Sequence, residues 1–389
     1  MELTGNILLI GGSGILSSDI CKLAIERGII VTIANRGKKK EFMNPKARMV
    51  TIDIRRDTVE ALQMKLCDRK YDVIVDFITF NLEQLKKTLQ VIKGCCNQYI
   101  FVSSATVYKE KIIDEPYSEI DEIGNKEWDY CYSKSECEWY LMKHKNEIGS
   151  EYTIVRPYVT YGATRMPFQI APIEYYTIIN RILCDKPILV MGRETKCTVT
   201  STKDFAVGIL GLFGNKDAFS EAVHITANHV TTWGKIIEIL GRQIGKNVLV
   251  VDISQEYLQN VKEIGFEFAE LSGDKGRNMV FDNSKIKRLA PEFIGDIEFS
   301  QAVPEILKYY EEHLEKRIIN YIWDGRIDNL IIGYYKQNKM SVPSNIKLFH
   351  VIIHIKSKKD LAMYVIGRIT FLYNFCKWSK TKIRGRRNR

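Results

Sequence analysis

Residues 6–17 read Asn-Ile-Leu-Leu-Ile-Gly-Gly-Ser-Gly-Ile-Leu-Ser. Asn6–Ile10 is apolar on both faces, as a strand covered on both sides must be. It runs directly into a glycine turn, and a helical pattern follows. Gly11 permits the tight turn, and Gly14 permits the close approach of backbone to a pyrophosphate at a helix N-terminus. Ile15 and Leu16 open that helix and join the same cofactor-binding set. Ser17 stands where a third glycine is expected, a small substitute that slightly loosens helix–strand packing. A glycine pattern alone is weak. Placed after the first strand and at the start of a helix, it reads as a dinucleotide-binding turn.

The pattern continues outward from this turn. Ile30–Ala34, Met49–Asp53, Asp72–Asp76, Gln98–Ser103 and Tyr152–Arg156 are short, rich in Val and Ile, and read as strands. Asp19–Arg27, Thr58–Cys67, Leu82–Lys93 and Ser133–Glu147 read as helices between them. Such alternation implies an α/β fold, a Rossmann-type doubly wound parallel sheet. Ala222–Thr226 reads as a later strand returning to it. Beyond Gly162 the rhythm breaks at Pro167, Pro172 and Pro187. Helices are expected at Thr232–Ile244 and Pro304–Leu314. The expected organisation is a dinucleotide-binding domain over 1–162, mainly a smaller substrate-binding lobe over 163–315, and a basic, apolar tail over 316–389.

The whole chain fits that picture. Its 389 residues are 45% hydrophobic and 27% charged, values of a folded protein rather than a disordered one. No apolar run reaches the roughly 18 residues that span a bilayer, and no signal-peptide pattern precedes Asn6, so a cytoplasmic protein is expected. The nine cysteines are scattered with no C-x-x-C pair, and signal neither a zinc site nor a disulfide framework. His350 and His354 lie in an apolar stretch without a nearby ligand, and no metal is expected. From Lys316 to Arg389 there are 17 Lys/Arg against 3 Asp/Glu, a net of +14; the total of +10 leaves −4 on the first 315 residues. The body is mildly acidic, and no nucleic-acid partner is expected for it.

Strand two ends in Asn35-Arg36-Gly37-Lys38. An acid there binds the 2′-hydroxyl of NAD, whereas an arginine accommodates the 2′-phosphate of NADP. Asn35 does not repel a phosphate and Arg36 can pair with one, so NADP(H) is favoured over NAD(H). After strand three, Asp53 is expected to accept from an adenine amino group, with Ile54 packing on the ring. A helix-capping role suits Asp57 better than Asp53. Strand five ends in Ser103-Ser104-Ala105-Thr106-Val107-Tyr108, and Tyr130-Cys131-Tyr132-Ser133-Lys134 lies downstream. On a helix Tyr130 and Lys134 share a face. A fixed ammonium favours the phenolate, so the tyrosine can exchange a proton with a sugar hydroxyl or carbonyl near neutral pH. A strand-five serine can hold the same oxygen.

Together these motifs resemble the extended short-chain dehydrogenase/reductase superfamily, in the branch of nucleotide-sugar epimerases, dehydratases and reductases. Arg156-Pro-Tyr-Val-Thr-Tyr161-Gly162 adds the R-P-x-x-x-Y-G turn found there. The resemblance covers about residues 5–315. It implies that Ser104 is the active-site Ser/Thr, Tyr130 the catalytic acid/base, and Lys134 the lysine that also holds the nicotinamide ribose. It also implies that the strand-four exit at Phe77 runs past the cofactor. Ser17, Ile10 and Lys109 depart from the usual pattern. Thr106, Arg165, Trp233 and Arg242 are candidate substrate contacts, each of which could equally be a surface or packing residue.

A 4,6-dehydratase of this kind needs an Asp–Glu pair just after the active-site Ser/Thr, where this chain has Ala105 and Thr106. The Ser-Ala-Thr-Val-Tyr string resembles 4-epimerases, which retain NAD; Asn35–Arg36 points instead to NADPH. The resulting expectation is a 4-ketoreductase acting on a nucleotide-linked keto sugar, by analogy a dTDP-4-keto-6-deoxyhexose for surface polysaccharide, with 4-epimerisation as the alternative. A non-catalytic sensor or RNA-associated role is disfavoured by the Ser104/Tyr130/Lys134 set. The resemblance also implies a homodimer through the helices Leu82–Lys93 and Ser133–Glu147. The tail contains a mostly apolar stretch, Leu361–Cys376, before seven basic residues and no acid in Lys377–Arg389. That combination suits either an extra helix packed on the body or peripheral contact with an anionic membrane.

Overall fold

The protein is described by a computed structural model covering residues 5–12, 14–37, 44–112, 114–261, 268–369 and 372–373. It divides into two compact units. Unit 1 comprises 1–167, 196–231 and 277–302; unit 2 comprises 168–195, 232–276 and 303–389.

Unit 1 contains β1 (Asn6–Ile10), α1 (Ile15–Glu26), β2 (Ile30–Asn35), β3 (Arg48–Thr51), α2 (Val59–Leu66), β4 (Tyr71–Asp76), α3 (Leu82–Ile92), β5 (Cys96–Val102), α4 (Asp129–Lys143), β6 (Glu151–Pro157), α5 (Thr202–Leu210) and β7 (Glu221–Ile225). The strands form one parallel sheet in the order β7-β6-β5-β4-β1-β2-β3. Order reverses between β1 and β4, the switch point where ligands bind in such sheets. The two-residue strand period sorts the core. Ile7 and Leu9 pack with Ile20 of α1 and Phe205 of α5 on one face, while Leu8 and Ile10 pack with Leu62, Leu85 and Leu141 of α2, α3 and α4 on the other. Both faces are covered, which is why these strands read as continuous apolar runs.

Several boundaries differ from the sequence reading. β3 stops at Thr51, because the next residues close a turn in which Arg56 and Asp57 both donate to the Asp53 carbonyl. α2 is capped not by Asp57 but by Thr58, whose Oγ1 accepts from Ala61 N. α4 begins at Asp129 rather than Ser133, with an acid in its first turn where the helix dipole favours one. Pro304 lies inside the helix Phe299–Glu312 instead of opening it.

The expectation of no disulfide is also corrected: Cys67 and Cys95 are bonded, 28 residues apart. Cys67 caps the end of α2 and Cys95 follows α3, so packing of these neighbouring helices brings together two cysteines that no short motif links.

In unit 2 the helices Tyr321–Gln337 and Lys358–Arg368 pack closely on one another. Gly325 and Gly367 make this approach possible: a Cβ on Gly367 would lie 2.1 Å from the Ile322 carbonyl oxygen. Asp324 and Asp328 face the helix Tyr176–Leu183 and the strand Ile188–Val190. There they meet Arg181 and Lys186 in a buried quartet of two cations and two carboxylates. Tyr364 donates to Asp328 at 2.7 Å. Residues 321–368, read from the sequence as part of a tail, therefore contribute to the interior of unit 2. The remainder of the apolar stretch, from Asn374 through Cys376, and the basic run 377–389 lie outside the described residues.

Candidate functional site

The glycine turn is built as its residues require. Gly11 has φ +87°, and a Cβ there would sit 2.3 Å from Ile78 Cγ2. Gly14 is different: among the described residues a Cβ would meet only Ser17 Oγ, at 3.6 Å. The space above Gly14 is thus open at the N-terminus of the 12-residue α1. Ser17 ties the loop rather than loosening it. It is buried, and its Oγ accepts from Gly14 N at 2.9 Å. Ile15 and Leu16 are half-buried beside the turn.

At the end of β2, Asn35 Oδ1 accepts from Gly37 N at 2.7 Å, while its buried Nδ2 has no partner among the described residues. A buried amide N–H without an acceptor is costly, and it suits a ligand hydroxyl or phosphate oxygen. Arg36 beside it is exposed. Asp53 Oδ1 accepts from Arg55 N at 3.1 Å, and Ile54 is half-buried next to it. Phe77 leaves β4 half-buried, its N–H donating to Ile10 O. The open cradle at Gly14 and the orphaned donor of Asn35 fit a dinucleotide.

The candidate catalytic residues converge at the C-terminal ends of β4 and β5. Tyr130 lies in the first turn of α4 and Lys134 one turn later. The Lys134 ammonium is 5.9 Å from the Tyr130 ring centroid. Lys134 is 1% exposed and donates to Thr79 O at 2.6 Å and Val102 O at 2.8 Å. Burial pushes its pKa down to about 8, against the pull of the Asp76 carboxylate. Tyr130 is half-buried among rings, 4.8 Å from Trp128 and 6.3 Å from Phe80 between centroids. Ser104 caps the short turn 105–107, which packs against α4. Its Oγ accepts from Thr106 Oγ1 at 2.9 Å and from Thr106 N at 3.3 Å, so its own proton is left to be donated elsewhere.

Sequence reasoning missed the scaffold behind these groups. Asp76 is fully buried and accepts from Thr79 Oγ1, Ile78 N, Thr79 N and Tyr99 OH, which fixes the strand-four exit. Glu138, one turn beyond Lys134, accepts from Ser103 Oγ and is held by Arg156 from β6 through Nε and Nη2. Arg156 also donates to Tyr108 OH; His224 Nε2 faces the Asp282 carbonyl and so carries the ring proton of the neutral imidazole, leaving Nδ1 to accept from Tyr108 OH. Burial holds His224 below its ordinary pKa and hence neutral. The available signals were a carboxylate ending an apolar strand (Asp76) and a Tyr-Lys-Glu series at helical spacing (Tyr130, Lys134, Glu138).

The candidate substrate residues fare differently. Thr106 is buried beside Ser104, and Arg165 lies in a turn closed by mutual backbone bonds with Gly162. Trp233 is 1% exposed in unit 2 and spends its indole N–H on Lys275 O at 2.7 Å; it is a packing residue, with no surface to offer a ligand. Arg242 is exposed near the end of its helix.

A parallel sheet with this strand order, carrying a glycine turn at β1 and a Tyr–Lys pair on α4, defines an extended short-chain dehydrogenase/reductase. The chain belongs to the NAD dependent epimerase/dehydratase family, whose model matches residues 7–223. Among solved structures it is similar to an epimerase from Methanothermobacter thermautotrophicus (TM-score 0.66, 15% identity, 80% of this chain and 94% of that one). It is also similar to a UDP-glucuronic acid 4-epimerase from Bacillus cereus in complex with NAD (TM-score 0.62, 17% identity, 79% and 99%). A third is a dTDP-glucose 4,6-dehydratase from Bacillus anthracis in complex with NAD (TM-score 0.64, 17% identity, 80% and 97%). At these identities the likeness is one of fold. No curated protein sequence matches the chain.

Proposed function

We propose that the protein reduces the C4 keto group of a nucleotide-linked sugar with NADPH, a dTDP-4-keto-6-deoxyhexose being the favoured substrate. The observation that carries this reading is the end of β2: an orphaned buried amide donor on Asn35 with an exposed Arg36 beside it. Both suit a 2′-phosphate, and neither is the acid that reads a free ribose hydroxyl. NADPH is more often consumed in net reduction than recycled. When bound, the nicotinamide would supply the reducing equivalent.

In this reading the protein's own groups handle the proton and the oxygen. Ser104, whose proton is left free by the two bonds it accepts from Thr106, donates to the C4 oxygen. Tyr130 transfers a proton to that oxygen. Lys134 presents positive charge to the Tyr130 ring and, with two donors committed to backbone carbonyls, keeps a third for a ribose hydroxyl. Ala105 and Thr106 offer no acid for water loss, which speaks against dehydration. The Ser-Ala-Thr-Val-Tyr string supports a second reading, 4-epimerisation with retained NAD. We further propose a homodimer through α3 and α4, on which Trp139 and Met142 are exposed; sedimentation equilibrium would test it.

The test of function is absorbance at 340 nm with purified protein, NADPH or NADH, and a dTDP-4-keto-6-deoxyhexose. Stoichiometric loss with NADPH that disappears in Tyr130→Phe supports the reductase, and Arg36→Ser should move the preference toward NADH. Absence of loss, together with C4 inversion of a UDP-sugar by protein carrying retained NAD, would replace it with the epimerase.

A further inference from the structure

Unit 2 carries a surface that the chemistry above does not use. It lies between the helices Tyr321–Gln337 and Lys358–Arg368, where the chain forms a short helix, Leu348–Ile352. This connection is anchored from within. Ile346 and Val351 are 0% and 5% exposed, Arg368 donates to Ile346 O, and Asn345 donates to Asp185 O. Four of its other apolar side chains are exposed, while Val342, Ile352 and Ile355 are half-buried. Phe349 is 81% exposed, Ile353 63%, Met340 43% and Leu348 42%. Phe349 and Ile353 are four apart, so one helical turn sets them on the same side, away from Val351.

Within the connection itself the charge has one sign, with Asp360 just beyond it and Asp185 at the Asn345 anchor. Lys336, Lys339, Lys347, Lys356, Lys358 and Lys359 are all exposed, and residues 336–359 contain no Asp or Glu. Single exposed apolar side chains are ordinary. Four of them within one segment that carries six lysines and no acid are not.

We propose that this face docks in the plane of an anionic lipid bilayer surface. Phe349 and Ile353 would enter the boundary between headgroups and acyl chains, while the lysines lie along the lipid phosphates with their stems over the apolar patch. Charge complementarity selects this occupant: each lysine brought near an anionic surface strengthens binding about fivefold. Among the described residues no helix is long and apolar enough to cross a membrane, so the contact is peripheral. The inference is independent of the reductase reading, since none of these residues belongs to unit 1.

The test uses the full chain, co-sedimented with phosphatidylcholine vesicles or with vesicles of phosphatidylcholine mixed with an equal amount of phosphatidylglycerol. Binding is expected to the mixed vesicles alone and to weaken as salt is raised. Phe349→Ser with Ile353→Ser should reduce partitioning about tenfold, with an unchanged thermal melt. Lys356→Gln, Lys358→Gln and Lys359→Gln together should reduce it about a hundredfold. No sedimentation with mixed vesicles, or sedimentation indifferent to Phe349 and Ile353, overturns the proposal. So does a concentration-dependent dimer abolished by the Phe349/Ile353 variant, which would give the face to a second copy. Tighter binding to duplex DNA or RNA than to mixed vesicles, with the same lysine dependence, would give it to nucleic acid.

Discussion

Asp328→Asn removes one negative charge from the buried quartet of unit 2 while nearly preserving its shape. In the parent, Asp328 is fully buried and accepts from Arg181 Nη1 at 2.8 Å, Lys186 Nζ at 2.6 Å and Tyr364 OH at 2.7 Å. At an effective dielectric of 20, each ion pair at that distance is a raw attraction of about 6 kcal/mol. Most of it offsets the cost of removing the charges from water, so the pair is not worth that sum. Removing one partner leaves two buried cations sharing Asp324, and puts an amide N–H in place of a carboxylate oxygen beside Arg181 or Lys186, which can only donate. Such losses run to about 3–5 kcal/mol. For a unit of this size that corresponds to a fall in melting temperature of about 6–20 °C. Unfolding of the full chain can be followed by the fluorescence of Trp233 and Trp323, both buried in unit 2. Asp328→Asn with Lys186→Met restores one cation to one carboxylate and should recover part of the loss. A single variant within about 1 kcal/mol of the parent, or a double variant less stable than the single, would refute this account. The pH dependence has a definite sign. Burial opposes ionisation of Asp324, but Lys186 and Arg181 overcome it and hold the carboxyl below the usual carboxylate range. Its contribution is present above the unfolded carboxylate pKa of about 4 and is lost as pH falls through the lower folded value. Acid unfolding should therefore begin below about pH 4.

Three further outcomes are expected. Turnover should decline as pH rises through about 8, where the buried Lys134 loses its proton; Asp76→Asn removes the charge that raises this pKa and should move the decline to lower pH in a pH–rate profile. Gly11→Ala forces a Cβ against Ile78 Cγ2 at a φ of +87° and should abolish binding of the reduced nicotinamide dinucleotide in a fluorescence titration, whereas Gly12→Ser would test packing against Ile33 instead. Reduction of Cys67–Cys95, which closes a loop with a sequence separation of 28, should cost about 3–4 kcal/mol by the loop-entropy relation; a lower melting temperature in reductant and two additional titratable thiols would check it.

Much of unit 1 was legible because its signals are local. β1 was bounded correctly, and β2, β4 and β6 to within one residue at each end, because a strand covered on both faces must be an unbroken apolar run. The turn at Gly11–Ser17 was legible because a positive φ and an open cradle impose residue types. Tyr130 and Lys134 were legible because a helix places residues four apart on one face. α4 was begun too late because its N-cap and first turn carry Trp128, Asp129 and Tyr130, which show no hydrophobic period; the rings of Trp128 and Phe80 pack instead on Tyr130.

Sequence alone thus determined the sheet, the glycine turn and the types of group at the candidate site, since each follows from spacing along a few residues of chain. Tertiary structure decided the rest. Cys67 meets Cys95, Glu138 meets Arg156, and Arg181 and Lys186 meet Asp324 and Asp328 only when separate elements pack. A cysteine, a glutamate or an aspartate carries no mark of its distant partner. The low dielectric of the interior requires the buried charges among them to be paired once the chain has folded, but nothing in the spacing of their residues announces any of these partners.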